Sequence, residues 1–401
     1  MYFKGNHITY CTNIHPGESW AETFSNLKNY IPRVKADISP DTSFGIGLRL
    51  SDQAGRDLIE AENLSDFKQW LEKNNCYVFT LNGFPFGGFH HQSVKDHVHY
   101  PDWTTQQRLD YTLRLFEILA AILPAGVEGG ISTSPLSYKY WKAARTNKKN
   151  VLQEATLHIL KVAERLYTVL QRDDQMLHLD IEPEPDGLLE NTEDVIHWYS
   201  NWLLPMGVAY LKQQLNLPAD QAEVCLKRHI RVCYDVCHFA VVYEKPADIF
   251  SRLRAEGIRV GKIQISAALK ADLHQDVEQR NSLLKAISPF IESTYLHQVV
   301  EQDSSGNLTH YPDLPEAIEN IKKPEAVQWR THFHVPVFLS VYGQLKSTQE
   351  DILEVLEYLK RDEMKYHLEV ETYTWEVLPH DIQLDIVASI VRELQWVKKN
   401  V

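Results

Sequence analysis

Cysteine is scarce: five residues, at positions 11, 76, 225, 233 and 237, in a chain of 401. So few, and an odd number, exclude a disulfide-built scaffold and suit the reduced thiols of a cytoplasmic protein. No apolar run reaches the roughly 18 residues of a membrane-spanning helix. The opening MYFKGNHITYC lacks the apolar core of a secretory signal, so a cytoplasmic location is expected. Positive charge is also short, with 41 Lys and Arg against 54 Asp and Glu and a net charge of −13. A surface of that sign does not seek polyanions, and nucleic acid is not expected as a partner. No linker rich in Gly, Pro or Ser and no low-complexity tract interrupts the chain, so residues 1–401 are expected to form one domain. What is present, 44% hydrophobic and 24% charged residues, is the composition of a globular protein able to bury a large core.

Strand-like runs alternate with helical periods along the chain. The candidate strands are 8–15, 43–50, 77–84, 129–135, 176–185, 230–238, 259–266 and 365–375. Between them lie amphipathic stretches with apolar residues at i, i+3, i+4 and i+7, notably 147–171 and 380–399. Two further helices open at capping-box spacing, Thr104 with Gln107 and Ser347 with Glu350. About eight strand–helix repeats favour an α/β fold closed as a (β/α)8 TIM barrel over an open sheet. The segment 292–340 has no such unit and is expected as a long insertion, or lid, after the seventh strand, with a hairpin turning at Ser304-Ser305-Gly306-Asn307.

Side chains alternate between the two faces of a strand. In the fifth strand Leu177, Leu179 and Ile181 oppose His178, Asp180, Glu182 and Glu184. In the sixth, Val232, Tyr234 and Val236 oppose Cys233, Asp235 and Cys237. Ile263 and Ile265 oppose Lys262, Gln264 and Ser266 in the seventh, and Leu368 and Val370 oppose His367, Glu369 and Glu371 in the eighth. Four successive strands thus aim carboxylates or amides at the barrel axis. Unpaired buried carboxylates cost several kcal/mol each, so a cation must stand among them: a divalent metal, or Lys262 with buried Arg partners. His238 follows Asp235 by three residues and can join it only if the strand ends near Val236 and the chain turns, as it does at the C-terminal rim of a barrel.

The order E-P at strand five, D-x-x-H at strand six and V-E-T at strand eight resembles the xylose isomerase-like TIM barrels, which include sugar isomerases and epimerases and the endonuclease IV-type enzymes. HITYCTNIHPGESW, LNGFPFGGFH and HLDIEPEPDG resemble the EboE family of metabolite traffic proteins more closely and nearly end to end. That family implies a barrel encoded in a bacterial metabolite-export gene cluster, with partner proteins of its pathway. The wider superfamily implies a divalent metal held by strand-end carboxylates and histidine, and sugar-like or phosphate-bearing small-molecule substrates. Carried over, Glu182, Asp235 and Glu371 match the shared metal-ligand positions, and His238 matches the histidine that binds substrate or a second metal. Gln264 stands where the superfamily usually has histidine. A neutral amide is the weaker ligand, which moves the expectation from Zn2+ toward Mn2+ or Mg2+. His332 and His334 resemble the paired ligand segment of the endonuclease-type branch, with His334 the expected ligand.

Around this centre, inward parity selects Asn13, His15, Arg49 and Asn82 as substrate-binding candidates. Arg49 could hold an anionic group or serve as counter-ion to Glu182 or Glu184. Cys233 and Cys237 share the parity of Asp235 and could be thiolate ligands, but such cysteines are more often small core residues. FHHQSVKDHVHYPDW places His90, His91, His97 and His99 after the third strand, either as a solvated loop or as functional imidazoles at the rim. The expected activity is metal-dependent isomerisation or epimerisation of a small polar metabolite, with Glu182 and Glu371 as ligands and proton carriers and His238 beside them. Metal-assisted phosphoester hydrolysis and non-catalytic carriage of a metabolite are the alternatives.

Overall fold

The eight strands that build the centre of the protein all run parallel: β1 Asn6–Tyr10, β2 Phe44–Arg49, β3 Cys76–Asn82, β4 Gly129–Thr133, β5 Leu177–Ile181, β6 Ile230–Asp235, β7 Val260–Ile265 and β8 His367–Val370. The structure, a computed structural model, describes residues 1–88, 95–274, 276–291, 296–362, 364–372, 375 and 383–401. The paired strands follow the order β1–β8–β7–β6–β5–β4–β3–β2. The ring closes between β1 and β2 through a parallel bridge from Cys11 to Gly47. Two threonine hydroxyls reinforce it: Gly47 N donates to Thr9 Oγ1 at 3.0 Å and Arg49 N to Thr12 Oγ1 at 2.9 Å. The chain is therefore a (β/α)8 barrel, its outward strand faces (Ile46 and Leu48, Leu177 and Leu179, Ile263 and Ile265) buried against helices.

Local chemistry sets the helix starts. Ser19 and Glu22 form a complete capping box for Trp20–Ile38. The predicted box at Thr104–Gln107 is shifted by one residue, because Thr105 accepts from Arg108 N and caps Gln106–Ile122 while Thr104 bonds to Asp102. The helix Gln349–Leu359 likewise starts one residue later than predicted: Thr348 is its cap, Ser347 Oγ accepts from Gln349 N, and Glu350 is drawn off by Lys270. The last helix is Ile386–Asn400; residues 380–382 of its predicted span lie outside the described residues. Among the described residues no helix is long and apolar enough to cross a membrane.

Directly after β7 the chain enters a second sheet, antiparallel throughout. Its strand order is Leu308–Tyr311, Val299–Asp303, Ala326–Val335, Ala267–Asp272, Leu345–Ser347 and Val341–Tyr342. It thus runs from Ala267 to Ser347, beyond the segment 292–340 at both ends, and residues 292–295 of that segment lie outside the described residues. A hairpin joins Val299–Asp303 to Leu308–Tyr311. Asp303 Oδ1 accepts from the amides of Ser305 and Asn307, both at 2.8 Å, and Gly306 supplies the positive φ of +86° that the turn requires. Because the sheet hangs on the C-terminal end of β7, its longest strand, Ala326–Val335, reaches back over the barrel mouth.

Candidate active site

Each strand end delivers one group. β5 stops at Ile181, and Glu182 is the next residue, followed by Pro183, which has no amide hydrogen to extend the ladder. β6 stops at Asp235, which becomes the N-cap of the short helix Val236–Val241 by accepting from His238 N at 3.1 Å. That turn brings His238 back onto the same side as Asp235. Glu371 follows β8. One carboxylate oxygen from each of Glu182, Asp235 and Glu371 lies within 4.8 Å of the others, and all three residues are buried.

Donors hold Glu371 in place. Asn13 Nδ2 donates to its Oε1 at 2.6 Å, Asn82 Nδ2 more distantly at 3.4 Å, and Gln264 Nε2 to its Oε2 at 2.5 Å. Gln264 is therefore not placed as a metal ligand: its carbonyl oxygen turns to Cys233 Sγ at 3.0 Å and its amide group orients Glu371. Asp235 Oδ1 takes the hydroxyl of Ser266 at 2.6 Å, while its Oδ2 and Oε2 of Glu182 have no hydrogen-bond partner among the described residues. Burial and the neighbouring carboxylates push Glu182 and Glu371 well above the usual carboxylate range. Burial acts on Asp235 too, but His238, His334 and the Ser266 hydroxyl outweigh it and hold Asp235 below that range.

Imidazoles close the cluster. His238 Nε2 stands 3.8 Å from Asp235 Oδ2, and its Nδ1 meets the carbonyl of Pro183 at 3.0 Å and lies 3.8 Å from Glu182 Oε1. His334, from the strand Ala326–Val335, lies 3.9 Å from Asp235 Oδ2 and 3.7 Å from Glu371 Oε2. The His332 ring sits edge-on to His238, centroids 4.6 Å apart, with its Nδ1 on Gln298 Oε1 at 2.8 Å. Two ligand sets thus share His238: Asp235 with His334, and Glu184 with His332. A cavity of about 80 Å3 opens among these groups, lined also by Lys95 and His99. Two orphaned carboxylate oxygens beside imidazoles, all oxygen and nitrogen donors, fit a divalent cation, and the carboxylate majority suits Mn2+ or Mg2+. The two cysteines differ: Cys233 gives its thiol hydrogen to Gln264 Oε1, whereas Cys237 Sγ lies within 4.8 Å of ligand atoms of His332 and His334 and could join them.

A deeper polar layer accounts for the remaining inward groups. Fully buried Lys262 pairs with Glu369 and donates to Ser132 Oγ at 3.2 Å, so its direct contacts lie in this layer, while its charge also acts from a distance on Glu182 and Glu371 without offsetting their burial. His178 Nδ1 bonds Asp180 Oδ1 at 2.7 Å. Inward glycines make the room: a Cβ on Gly47 would collide with Glu369, on Gly130 with His178, and on Gly261 with Asp180.

Two sequence candidates stand away from the cavity. The turn Thr12–Ile14 breaks the strand period, so His15 faces the first helix, stacking on Tyr30 at 4.2 Å and bonding Tyr10 Oη at 2.9 Å. Arg49 reaches sideways along the rim to the carbonyl of Gly17 at 2.9 Å and to Glu18 at 3.2 Å; it is the counter-ion of neither Glu182 nor Glu184. Of the four loop histidines, His90 and His91 lie outside the described residues. His99 enters the cavity, 1% exposed, with Nε2 on Glu184 Oε1 at 2.7 Å. Parity could not have selected it, since it sits in a short helical turn, Lys95–His99, and the sole signal was the local density of histidine.

Comparison with known proteins finds no matching family model and no matching curated protein. Several solved structures are similar. A xylose isomerase-like TIM barrel protein from Mycobacterium smegmatis, in complex with magnesium, is 8% identical; the match covers 100% of this chain and 98% of that one at a TM-score of 0.49. A xylose isomerase domain containing protein from Salmonella typhimurium is 12% identical, covering 100% and 98% at 0.46. The probable 3-DHS dehydratase AsbF of Bacillus anthracis is 12% identical, covering 97% of each chain at 0.42. The chain is a (β/α)8 barrel, similar along nearly its whole length to xylose isomerase-like barrels.

Proposed function

We propose that this protein is a metal-dependent enzyme that moves a proton on a small polar metabolite, as isomerisation or epimerisation of a sugar-like compound requires. The observation that carries this reading is the convergence of Glu182, Asp235 and Glu371 at the C-terminal rim, buried, with oxygens within 4.8 Å and two of those carboxylates holding an unpartnered oxygen among the described residues. Such a set is stable in its fully charged form only with a cation, and the ion pair of the barrel lysine is made with Glu369 instead. Glu182, Asp235 and Glu371 would hold the ion, with His238 and His334 completing its surroundings; a bound divalent cation would supply Lewis acidity to a substrate carbonyl or hydroxyl. Glu371, fixed by Asn13 and Gln264, is the anchored carboxylate. Glu182 has no donor on Oε2, so it is the group free to take a proton from carbon and return it. Asn13 and Asn82 line the cavity beside it and would position substrate hydroxyls.

The motifs that resemble the EboE family support a metabolite destined for export as the substrate. A second reading, metal-assisted hydrolysis of a phosphoester, is favoured by one observation: Glu184, His238 and His332 form a further ligand set that could hold a second ion. The test is metal analysis of the purified chain together with deuterium incorporation from D2O into a panel of ketoses and aldoses. One ion per chain and carbon-bound deuterium that disappears in Glu182→Gln support proton transfer. Two ions and phosphate release support hydrolysis. A loaded site with neither turnover makes the protein a carrier.

A further inference from the structure

At the opposite end of the barrel, where the strands begin, lies a second cavity of about 1060 Å3. Its wall carries Arg231, Arg259 and Lys365 against a single carboxylate, Glu128, together with His7 and His367. The mouth therefore holds a surplus of two positive charges on a chain whose net charge is −13. Arg231 is buried and rigidly held: its Nε donates to Arg228 O at 2.9 Å and its Nη1 to Glu128 Oε2 at 3.0 Å. Arg259 makes no ion pair among the described residues, and its guanidinium is depressed by burial and by Arg231 beside it. Two cations that disfavour each other share a single carboxylate, Glu128, which among the described residues touches Arg231 alone, and a bound anion would relieve the surplus.

An independent observation points the same way. His367 opens β8 at the floor of this cavity, only 5% exposed, and its Nδ1 has no hydrogen-bond partner among the described residues. A buried imidazole nitrogen without a partner costs free energy unless a ligand or water meets it. His7 stands beside it, ring centroids 5.7 Å apart, its own Nδ1 already on Tyr77 Oη at 2.9 Å. We infer that the cavity at the N-terminal end of the barrel is a binding site for a small dianion, clamped by Arg231, Arg259 and Lys365, with the His367 Nδ1 hydrogen completing the contacts. The volume admits more than a bare ion: it is in the range of sites that enclose a whole small molecule, so the dianionic group can carry an organic part. This site is about one barrel length from the carboxylate cluster and of opposite sign, so it does not depend on the activity proposed above.

The experiment is calorimetric titration of inorganic phosphate, at constant ionic strength, into the full chain and into three variants. Saturable binding of one phosphate per chain is expected, with the His367 ring resonances moving on saturation. Arg259→Gln and Lys365→Gln, both at exposed positions where folding tolerates change, should each weaken it about tenfold or more, the loss of one charge-assisted contact. Asp235→Asn, at the other end of the barrel, should leave it unchanged. No saturable heat, unmoved His367 resonances, unchanged affinity in either cation variant, or loss of binding in Asp235→Asn would overturn the proposal.

Discussion

Asp235 performs two tasks with one carboxylate. Oδ1 caps the helix Val236–Val241 and receives Ser266, while Oδ2 points at His238 and His334. An asparagine keeps the capping oxygen and discards the charge, so the two tasks can be separated. Asp235→Asn is expected to abolish Mn2+ binding by calorimetry while the melting temperature of the metal-free chain falls only slightly, because the lost attraction of His238 and His334 is partly offset by relieved repulsion of Glu182 and Glu371. In the wild type, Mn2+ at about 100 times its dissociation constant should add about 2.7 kcal/mol of stability; that increment should vanish in the variant. A steep drop in the metal-free melting temperature would instead make the Asp235 charge structural. Much of this cluster was legible in the sequence, since period-two parity depends only on strand geometry and three carboxylates fell on inward positions at strand ends. The placements of His15 and Arg49 were not legible, because a short turn rotates His15 outward and a long side chain lets Arg49 leave the axis; His99 was signalled only by the local density of histidine, which could not single it out from its three neighbours. Gln264 stands at the expected inward position with its amide nitrogen on Glu371, an orientation that parity cannot decide.

Element starts were less legible than element types. Alternation announced all eight strands, because a strand buried on both faces needs a long run of β-formers, yet two helix caps fell one residue from the expected positions through competition among neighbouring hydroxyls. The closure of the ring depends on glycine: β2 approaches β1 with Gly47 against Glu369. Gly47→Ala should therefore cost about 1–3 kcal/mol by overpacking, read as a shift of the urea midpoint with unchanged slope; a neutral result would mean that Glu369 moves aside freely. The last helix offers a pH test. Glu393 accepts from Val337 N at 3.0 Å and fastens the second sheet to the barrel. Burial pushes its carboxyl up to about 7. The native state thus binds the proton more tightly than the unfolded chain, and this contribution to stability is present below the unfolded value near 4.5 and is lost as pH rises through about 7. Glu393→Gln preserves an acceptor and removes the titration. Relative to wild type, the variant should gain on the order of 3 kcal/mol between pH 5 and pH 8, measured by urea unfolding at each pH. A difference that stays flat across that range would show that Glu393 titrates normally.

At the scale of the whole molecule, the second sheet and the barrel meet over the carboxylate cluster. The strand Ala326–Val335 is held on both sides, by Val299–Asp303 and by Ala267–Asp272, but its register with Ala267–Asp272 breaks between Thr331 and Val335. That irregular stretch carries His332 and His334, and there the strand is attached to the barrel by side chains: His334 Nδ1 to the carbonyl of Glu371 at 3.1 Å, and its ring beside Asp235. With a cation among Glu182, Asp235 and Glu371, the imidazole of His334 gains a positive neighbour or a ligand bond that fixes it; without one, it faces carboxylates that repel each other. Metal should therefore slow the local opening of the stretch from Thr331 to Val335 and leave the hairpin at Asp303–Asn307 unaffected, since stability differs from segment to segment within one fold. Hydrogen exchange followed by mass spectrometry, with and without Mn2+, checks this. Protection confined to peptides covering His332 to Val335 and Glu371 to Thr372 is the expected pattern, and His334→Ala should erase it while weakening Mn2+ by about 10–100-fold. Equal exchange in both states, with unchanged affinity in the variant, would detach the second sheet from the site and leave the cluster served by the barrel alone.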